Sequence, residues 1–136
     1  MKTIHRSKVA LYSVLPIIAI VFLGSCRKNY HQLPVYSENG NIQAVIEIPA
    51  GCSKKYEYQA GTNSFVMDKK DGKQRIVQYL PYPANYGFIP STMMDNQKGG
   101  DGDALDVLVI AQSLETGTII EIEPLAMLSL RDDNEI

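Results

Sequence analysis

Residues 99–110 read GGDGDALDVLVI, a glycine-rich turn followed by an apolar run. The apolar run is typical of a buried β-strand, and the glycines allow the chain to turn tightly before it. Asp101, Asp103 and Asp106 lie at the junction of turn and strand. Like charges this close repel one another unless a positive group binds among them. The stretch therefore predicts a turn–strand unit of the fold and a candidate cation site at its junction.

The same alternation of turn and short strand continues along the chain. Apolar or alternating segments predict strands over residues 42–48, 54–59, 64–68, 74–80, 104–112 and 119–130. Asp71-Gly72 predicts a hairpin turn, and Pro124 predicts a bend or a sheet edge in the last strand. Residues 81–92 contain three prolines and a glycine, which predict an irregular but rigid loop. Without a convincing helical period, the pattern indicates a mainly β fold, a small antiparallel barrel.

The composition indicates one folded domain without a strong electrostatic field. The chain has 136 residues, 45% of them hydrophobic, and a formal net charge of −2. Since there is no excess of basic residues, nucleic acid is not expected as a partner. Cys26 and Cys52 are the two cysteines. Because Cys26 directly follows the export signal described next and is set apart from the domain, Cys52 has no partner and no disulfide framework is expected.

The first 25 residues have the layout of a secretory signal. A cationic start with Lys2, Arg6 and Lys8 precedes an uncharged apolar stretch over 9–23, which Pro16 interrupts. The stretch is short for a spanning helix, which needs about 20 apolar residues. The small residues of the LGSC sequence at 23–26 then suit a cleavage site.

A cysteine directly after such a site resembles the lipobox of bacterial lipoproteins. The resemblance implies cleavage of a signal peptide over 1–25 and lipid on the thiol and amine of Cys26. We therefore expect an exported, membrane-anchored protein on the periplasmic side, with residues 26–41 as a polar tether. The alternative interpretation is an uncleaved anchor helix with an incidental cysteine.

The aspartate string suits a hard cation. Oxygen ligands in a cluster favour Mg²⁺, and zinc is not expected because no His or Cys cluster accompanies them. An EF-hand calcium loop starting at Asp95 would place Gln97 and Gly99 where oxygen-rich ligands are needed, and no flanking helices are predicted. The other alternative is a solvated acidic turn without a ligand.

Other residues along the chain carry charges or hydroxyl groups that could bind a metal or a phosphate. They are Glu47 within an apolar strand, Lys55 and Glu57 on one strand face, Arg75 at a strand start, and Tyr82 and Tyr86 in the proline-stiffened loop. Singly, each is more typical of a surface charge or a packed aromatic residue. Together they offer carboxylates for a metal, cations for a phosphate and phenols for hydrogen bonds. That mixture fits phosphoryl transfer.

Four segments resemble the successive signatures of the soluble family I inorganic pyrophosphatases. They are VIEIPAG at 45–51, KYEY at 55–58, GKQRIVQYLPYPANYGFIP at 72–90 and GGDGDALDVLV at 99–109. The aspartate string matches the family signature except at Ala104, where Pro or Glu is usual. The resemblance implies an OB-like antiparallel barrel over residues 42–136 that hydrolyses diphosphate with Mg²⁺.

The resemblance also implies roles for individual residues. It makes Asp101, Asp103, Asp106, Glu47 and Asp132 metal ligands, with Asp103 as the base for the attacking water. Glu47 is also implied to be a catalytic acid that binds the metal or its waters. It makes Lys55, Arg75, Tyr82 and Tyr86 substrate-binding residues, with Tyr86 close to the nucleophile, and Glu57 an acid that supports the site from outside the ligand shell.

The C-terminus departs from the family pattern. A further metal-binding aspartate would fall at position 137, after Ile136, and the family's last strand and C-terminal helices are not matched. We therefore expect an incomplete domain of weak or no activity, with oligomers as a further implication of the resemblance. The alternatives are a membrane-attached fragment that binds metal or phosphate without turnover, or serves only as an interaction module, and a calcium-binding lipoprotein.

Overall fold

The computed structural model describes residues 28–128, and within them the fold is mainly antiparallel β without an α-helix. The strands are β1 (Ile42–Ile48), β2 (Tyr56–Gln59), β3 (Ser64–Met67), β4 (Lys69–Lys70), β5 (Lys73–Gln74), β6 (Asn85–Phe88), β7 (Asp106–Val109) and β8 (Ile119–Ile122). Two 3₁₀ helices cover Tyr30–Gln32 and Asn96–Lys98. In this part of the chain, no helix has the length and apolar character needed to cross a membrane.

The main sheet has four antiparallel strands in the order β7-β6-β1-β8. β1 lies in its interior, and apolar side chains on both faces of β1 are fully buried. Ala44 and Ile46 pack with Val109 on one face, whereas Val45 packs with Tyr58 and Phe88 on the other. The apolar run of β1 therefore supplies both halves of the core.

The proline-rich segment 81–92 differs from the irregular loop that the sequence predicts. It contains β6, a central strand of the main sheet. Gly87 explains the close pairing, because a Cβ built there would lie 1.8 Å from the Val45 carbonyl oxygen. The prolines stiffen the approach to β6, and the glycine lets it lie against β1.

β7 and β8 form the two edges of the sheet, so the predicted barrel is not closed within residues 28–128. Residues 104–112 were expected to be a buried strand, but Val109 is the buried residue of β7, and Ile110 is 83% exposed. β8 ends at Ile122 rather than continuing to residue 130. Pro124 accounts for this end because it has no N–H to donate to a neighbouring strand.

Two hairpins stand beside the main sheet. β2 pairs with β3, and β4 pairs with β5. Asp71 and Gly72 have φ angles of 53° and 74°, the left-handed pair of a type I′ turn, so the predicted Asp-Gly hairpin is confirmed. The strand expected over 74–80 is reduced to Gln74 and an isolated bridge between Ile76 and Lys54.

Residues 28–41, the described part of the polar tether expected over 26–41, pack against the sheet. The backbone N–H of Gln43 donates to the Val35 carbonyl oxygen at 2.8 Å, and Tyr36 forms a bridge with Ile42. Aromatic side chains within this segment, absent from an ordinary flexible linker, provide the packing. The proposed signal peptide, Cys26 and Asp132 lie outside the described residues.

Candidate active site

A β-bulge places Glu47 at the end of the interior strand. Ile46 pairs with Gly87 and Ile48 pairs with Tyr86, so Glu47 is an extra residue in β1. Its Oε1 accepts a hydrogen bond of 2.6 Å from the backbone N–H of Tyr58. The bulge thus lets a carboxylate near the end of an apolar strand bond to β2.

The surroundings of Glu47 oppose its ionisation. Burial raises the pKa of Glu47 to about 7, and the charges of Asp106 and Glu57 act in the same direction. The hydrogen bond from Tyr58 and the charge of Lys55 lower this pKa, but they do not outweigh burial. A nearby cation would therefore stabilise the ionised form of this carboxylate.

Lys55 and Arg75 form the cationic part of the site, and Asp68 joins them. Lys55 Nζ is 2.7 Å from Glu57 Oε1 and 3.9 Å from Asp68 Oδ2. Arg75 donates to the same Asp68 oxygen at 3.1 Å. The expectation that Lys55 and Glu57 share a strand face agrees with this ion pair.

Asp68 is the site residue that sequence reasoning missed. Burial raises the pKa of this carboxyl, but the Arg75 hydrogen bond and the charge of Lys55 outweigh it and hold the pKa below its ordinary value. The backbone reinforces the arrangement, since the N–H of Asp68 donates to the Lys55 carbonyl and the N–H of Arg75 to the Asp68 carbonyl, both at 2.9 Å. The sequence does contain a signal for this role: Asp68 directly follows the SFVM strand and precedes the lysine-rich β4–β5 hairpin.

Tyr82 and Tyr86 connect the cationic and acidic sides. Their ring centroids are 5.5 Å apart. Burial raises the pKa of both phenols, and the neighbouring Asp106 raises the pKa of Tyr86 further. The pKa of Tyr82 also responds to the charges of Lys55, Arg75, Glu47 and Glu57, which places it among them. Both phenols therefore remain protonated hydrogen-bond donors at neutral pH.

The three aspartates of the opening stretch divide into two groups. Asp106 begins β7 and pairs with Phe88, which brings it beside Tyr86. Asp101 and Asp103 lie in the exposed turn before it, where Gly102 has a φ of 88°. Asp101 Oδ1 accepts a hydrogen bond of 2.9 Å from the Asp103 N–H, so the segment is turned rather than extended.

The acidic side suits Mg²⁺ in its donor chemistry. Glu47 and Asp106 offer only oxygen ligands, and Mg²⁺ commonly takes one or two carboxylates and retains several waters. A cation between them would also offset the repulsion that contributes to the raised pKa of Glu47. No group of three His, Cys, Asp or Glu side chains within 28–128 is arranged to hold a metal ion.

Asn85 connects the segments that carry the site residues. The sequence predicted it only as part of the rigid loop over 81–92. This fully buried amide accepts hydrogen bonds from the N–H groups of Ala50 and Leu114, at 3.0 and 2.8 Å. It donates to the carbonyls of Val109 and Gln112, at 3.3 and 3.0 Å. Asn85 thereby joins the turn after β1 to the end of β7, the two strands that carry Glu47 and Asp106.

Comparisons with known proteins identify the family to which these site residues belong. The family model described as "Inorganic pyrophosphatase" matches residues 44–136. The chain is 36% identical over 105 residues to the inorganic pyrophosphatase of Synechocystis sp., covering 76% of this chain and 56% of the relative. It is 41% identical over 93 residues to that of Saccharolobus solfataricus, covering 68% and 48%.

Solved structures give the same result. The inorganic pyrophosphatase of Thermus thermophilus superposes with a TM-score of 0.57 at 34% identity, covering 69% of this chain and 49% of that chain. A type I enzyme from P. falciparum gives a TM-score of 0.60 at 27% identity, covering 68% and 34%. The chain spans about half the length of the curated relatives it matches. On the family match and these identities, the chain belongs to the inorganic pyrophosphatase family.

Proposed function

We propose that this protein binds inorganic diphosphate and hydrolyses it to two phosphates with Mg²⁺. The observation that carries the proposal is that Asp68 joins Lys55 to Arg75, while Glu47 lies close enough to both Lys55 and Asp106 for their charges to act on its pKa. Cations suit the phosphate oxygens, and carboxylates suit the metal that accompanies them.

Each side of the site has a distinct task. Arg75 and Lys55 bind and orient the substrate phosphates, and Tyr82 and Tyr86 donate hydrogen bonds to phosphate or water oxygens. Asp68 and Glu57 hold the two cations in place before substrate binds. Because these donors are prearranged, they stabilise the charge on the transferring phosphoryl group without reorganisation.

The metal ligands in this proposal are Glu47, Asp101, Asp103 and Asp106, with Asp132 beyond the described residues. When bound, Mg²⁺ supplies a water of lowered pKa and neutralises charge on the attacking and leaving oxygens. Asp103 would serve as the base for the attacking water. We also propose that the complete fold is an OB-like barrel. In the described region the outer edges of β7 and β8 are unpaired, so these are the edges at which such a barrel would close.

The test uses the purified full chain and its Mg²⁺-dependent release of phosphate from diphosphate. Arg75→Ala removes a charge-assisted contact worth about 1.5–3 kcal/mol, so kcat/KM should fall about 10- to 100-fold. Lys73→Ala is the matched control, because it removes an exposed cation of the neighbouring β5. No Mg²⁺-dependent hydrolysis by a folded chain would overturn the proposal, as would equal effects of the two substitutions.

A second candidate function is binding of metal and diphosphate without turnover. Asp101 and Asp103 lie in an exposed turn, and no three-carboxylate group forms within the part of the chain described here. Calorimetry with Mg²⁺ and methylene diphosphonate separates the candidates, because binding without hydrolysis of diphosphate supports this one.

For the location of the protein, we propose lipidation at Cys26, which would anchor the domain to the periplasmic face of a membrane. The sequence around residues 1–26 supports this proposal. Labelling of the full chain with a radioactive fatty acid, and its loss in Cys26→Ser, is the test. Equal labelling of both forms would overturn it.

A further inference from the structure

The first described residues, 28–33, are hydrogen-bonded to the domain. Asn29 caps the 3₁₀ helix Tyr30–Gln32 through its Oδ1, which accepts a hydrogen bond of 3.2 Å from the His31 N–H. Ser91 N–H donates to the His31 carbonyl at 3.0 Å, and Ser91 Oγ donates to the Leu33 carbonyl at 2.8 Å. These bonds connect the segment to a residue about sixty positions away.

Aromatic packing fixes the same segment from the other side. The Tyr30 ring lies edge-on to Tyr58 and Phe65, with centroids at 5.2 and 5.0 Å. The His31 ring lies edge-on to Phe88 at 4.8 Å. Because Tyr58 and Phe88 belong to the buried core, the segment shares the core of the domain.

A hydrogen-bond network continues this attachment as far as Lys28. The Tyr58 hydroxyl accepts from the Tyr30 N–H at 3.1 Å, donates to Asn63 Oδ1 at 2.7 Å and lies 3.4 Å from the Lys28 carbonyl oxygen. Lys28 therefore lies beside the β2–β3 turn, residues 60–63, which we name the anchor-side turn. Two peptide steps separate Cys26 from Lys28, a reach of at most about 7 Å.

We propose that the anchored domain lies flush on the bilayer, with the anchor-side turn facing the lipid headgroups. This inference rests on the proposed lipidation of Cys26, because a lipid there leaves almost no chain between the membrane and the fixed Lys28. The exposed Lys28 and the neighbouring Arg27 in the sequence add positive charge at this end of the chain, which anionic headgroups attract.

The same geometry directs the candidate active site away from the membrane. Lys55 precedes β2 and Ala60 follows it, and at the rise of a strand these residues lie about 16 Å apart. Lys55 belongs to the site and Ala60 to the anchor-side turn. In this orientation β2 therefore lies between the phosphate-binding cations and the bilayer, and the cations lie farther from the headgroups than the anchor-side turn does.

The test measures the depth of two labels on the lipidated full chain in vesicles of phosphatidylethanolamine and phosphatidylglycerol. One fluorophore is placed at Gly61→Cys, where a Cβ meets nothing within 4 Å. The matched control is Lys73→Cys in the exposed β4–β5 hairpin. Both variants carry Cys52→Ser so that labelling is specific, and nitroxide-headgroup lipids quench fluorophores at the membrane surface.

The expected result is that the label at position 61 loses most of its fluorescence and the label at position 73 keeps it. A Gly-Ser linker of about 20 residues after Cys26, with an average span of about 25 Å, should abolish the difference. Equal quenching at both positions, or quenching at 61 that survives the linker, would overturn the proposal. Failure of the chain to float with vesicles would overturn the lipid anchor and the orientation together, whereas diphosphate hydrolysis is measured independently.

Discussion

At the scale of single residues, Glu47 shows how a local irregularity of the backbone creates chemistry. A regular β1 would alternate apolar side chains across the sheet, but the bulge adds one residue and turns a carboxylate into a half-buried position. Burial and the nearby anions Asp106 and Glu57 raise the pKa of Glu47 to about 7. The folded state therefore binds a proton more tightly than the unfolded chain does.

This linkage predicts a pH-dependent gain of stability for Glu47→Gln. Stability of the parent should fall as the pH rises from about 4.5, where the unfolded Glu47 ionises, to about 7, where the folded one does. The glutamine side chain keeps the acceptor for the Tyr58 N–H but carries no charge. In the absence of Mg²⁺, we expect the variant to be more stable than the parent by about 2 kcal/mol at pH 8.

Urea denaturation at pH 4 and pH 8 makes the comparison, with both proteins in chelator. At pH 4 the two should unfold at nearly the same denaturant concentration, which serves as the internal control. A constant difference at both pH values would show that Glu47 does not titrate in this window.

At the scale of the element, the pairing of β6 with β1 depends on Gly87. A methyl group at this position would collide with the backbone carbonyl of Val45, which cannot move without displacing the interior strand. Gly87→Ala should therefore destabilise the fold by about 3 kcal/mol or more, measured by denaturant titration.

Gly61→Ala is the matched control for this substitution. Position 61 has open space around an added Cβ and no left-handed φ, so the change should lie within about 0.5 kcal/mol of the parent. If both alanine variants unfold at the same denaturant concentration, the close approach of β6 to β1 is not a constraint on stability.

At the scale of the whole molecule, we expect the unpaired edges of the main sheet in the described region to govern association. β7 has one neighbouring strand in the described part of the chain. Leu108 within β7 is 45% exposed, and Ile110 directly after β7 is 83% exposed. An exposed apolar edge favours pairing with another chain, and lysine at an edge opposes it. Ile110→Lys should therefore reduce concentration-dependent association of the full chain in detergent, measured by light scattering.

Gln78→Lys adds the same charge at an exposed position outside the edge strands and serves as the control. It should leave the concentration dependence of the parent unchanged. Equal reduction by both lysines would mean that net charge, and not the β7 edge, controls association.

Several parts of the fold follow directly from local sequence. The β2–β3 and β4–β5 hairpins appear where alternating residues flank turn signals, and Asp71-Gly72 adopts the left-handed angles that its turn requires. Residues 81–92 and 28–41 differ because their order depends on distant partners. β6 forms by pairing with β1, and Tyr30 is held in place by packing against Tyr58 and Phe65.

Local sequence is enough to predict the mainly β character, the family and the residue types of the candidate site, because turn chemistry, strand period and motif spacing are local properties. The tertiary structure alone decided that Asp68 joins Lys55 to Arg75, and that Asn85 ties β1 to β7. It also decided that residues 28–36 pack against the domain, with Tyr30 and Leu33 on its core. These features depend on contacts between segments far apart in the chain, and such contacts form only when burial and hydrogen bonding bring the segments together.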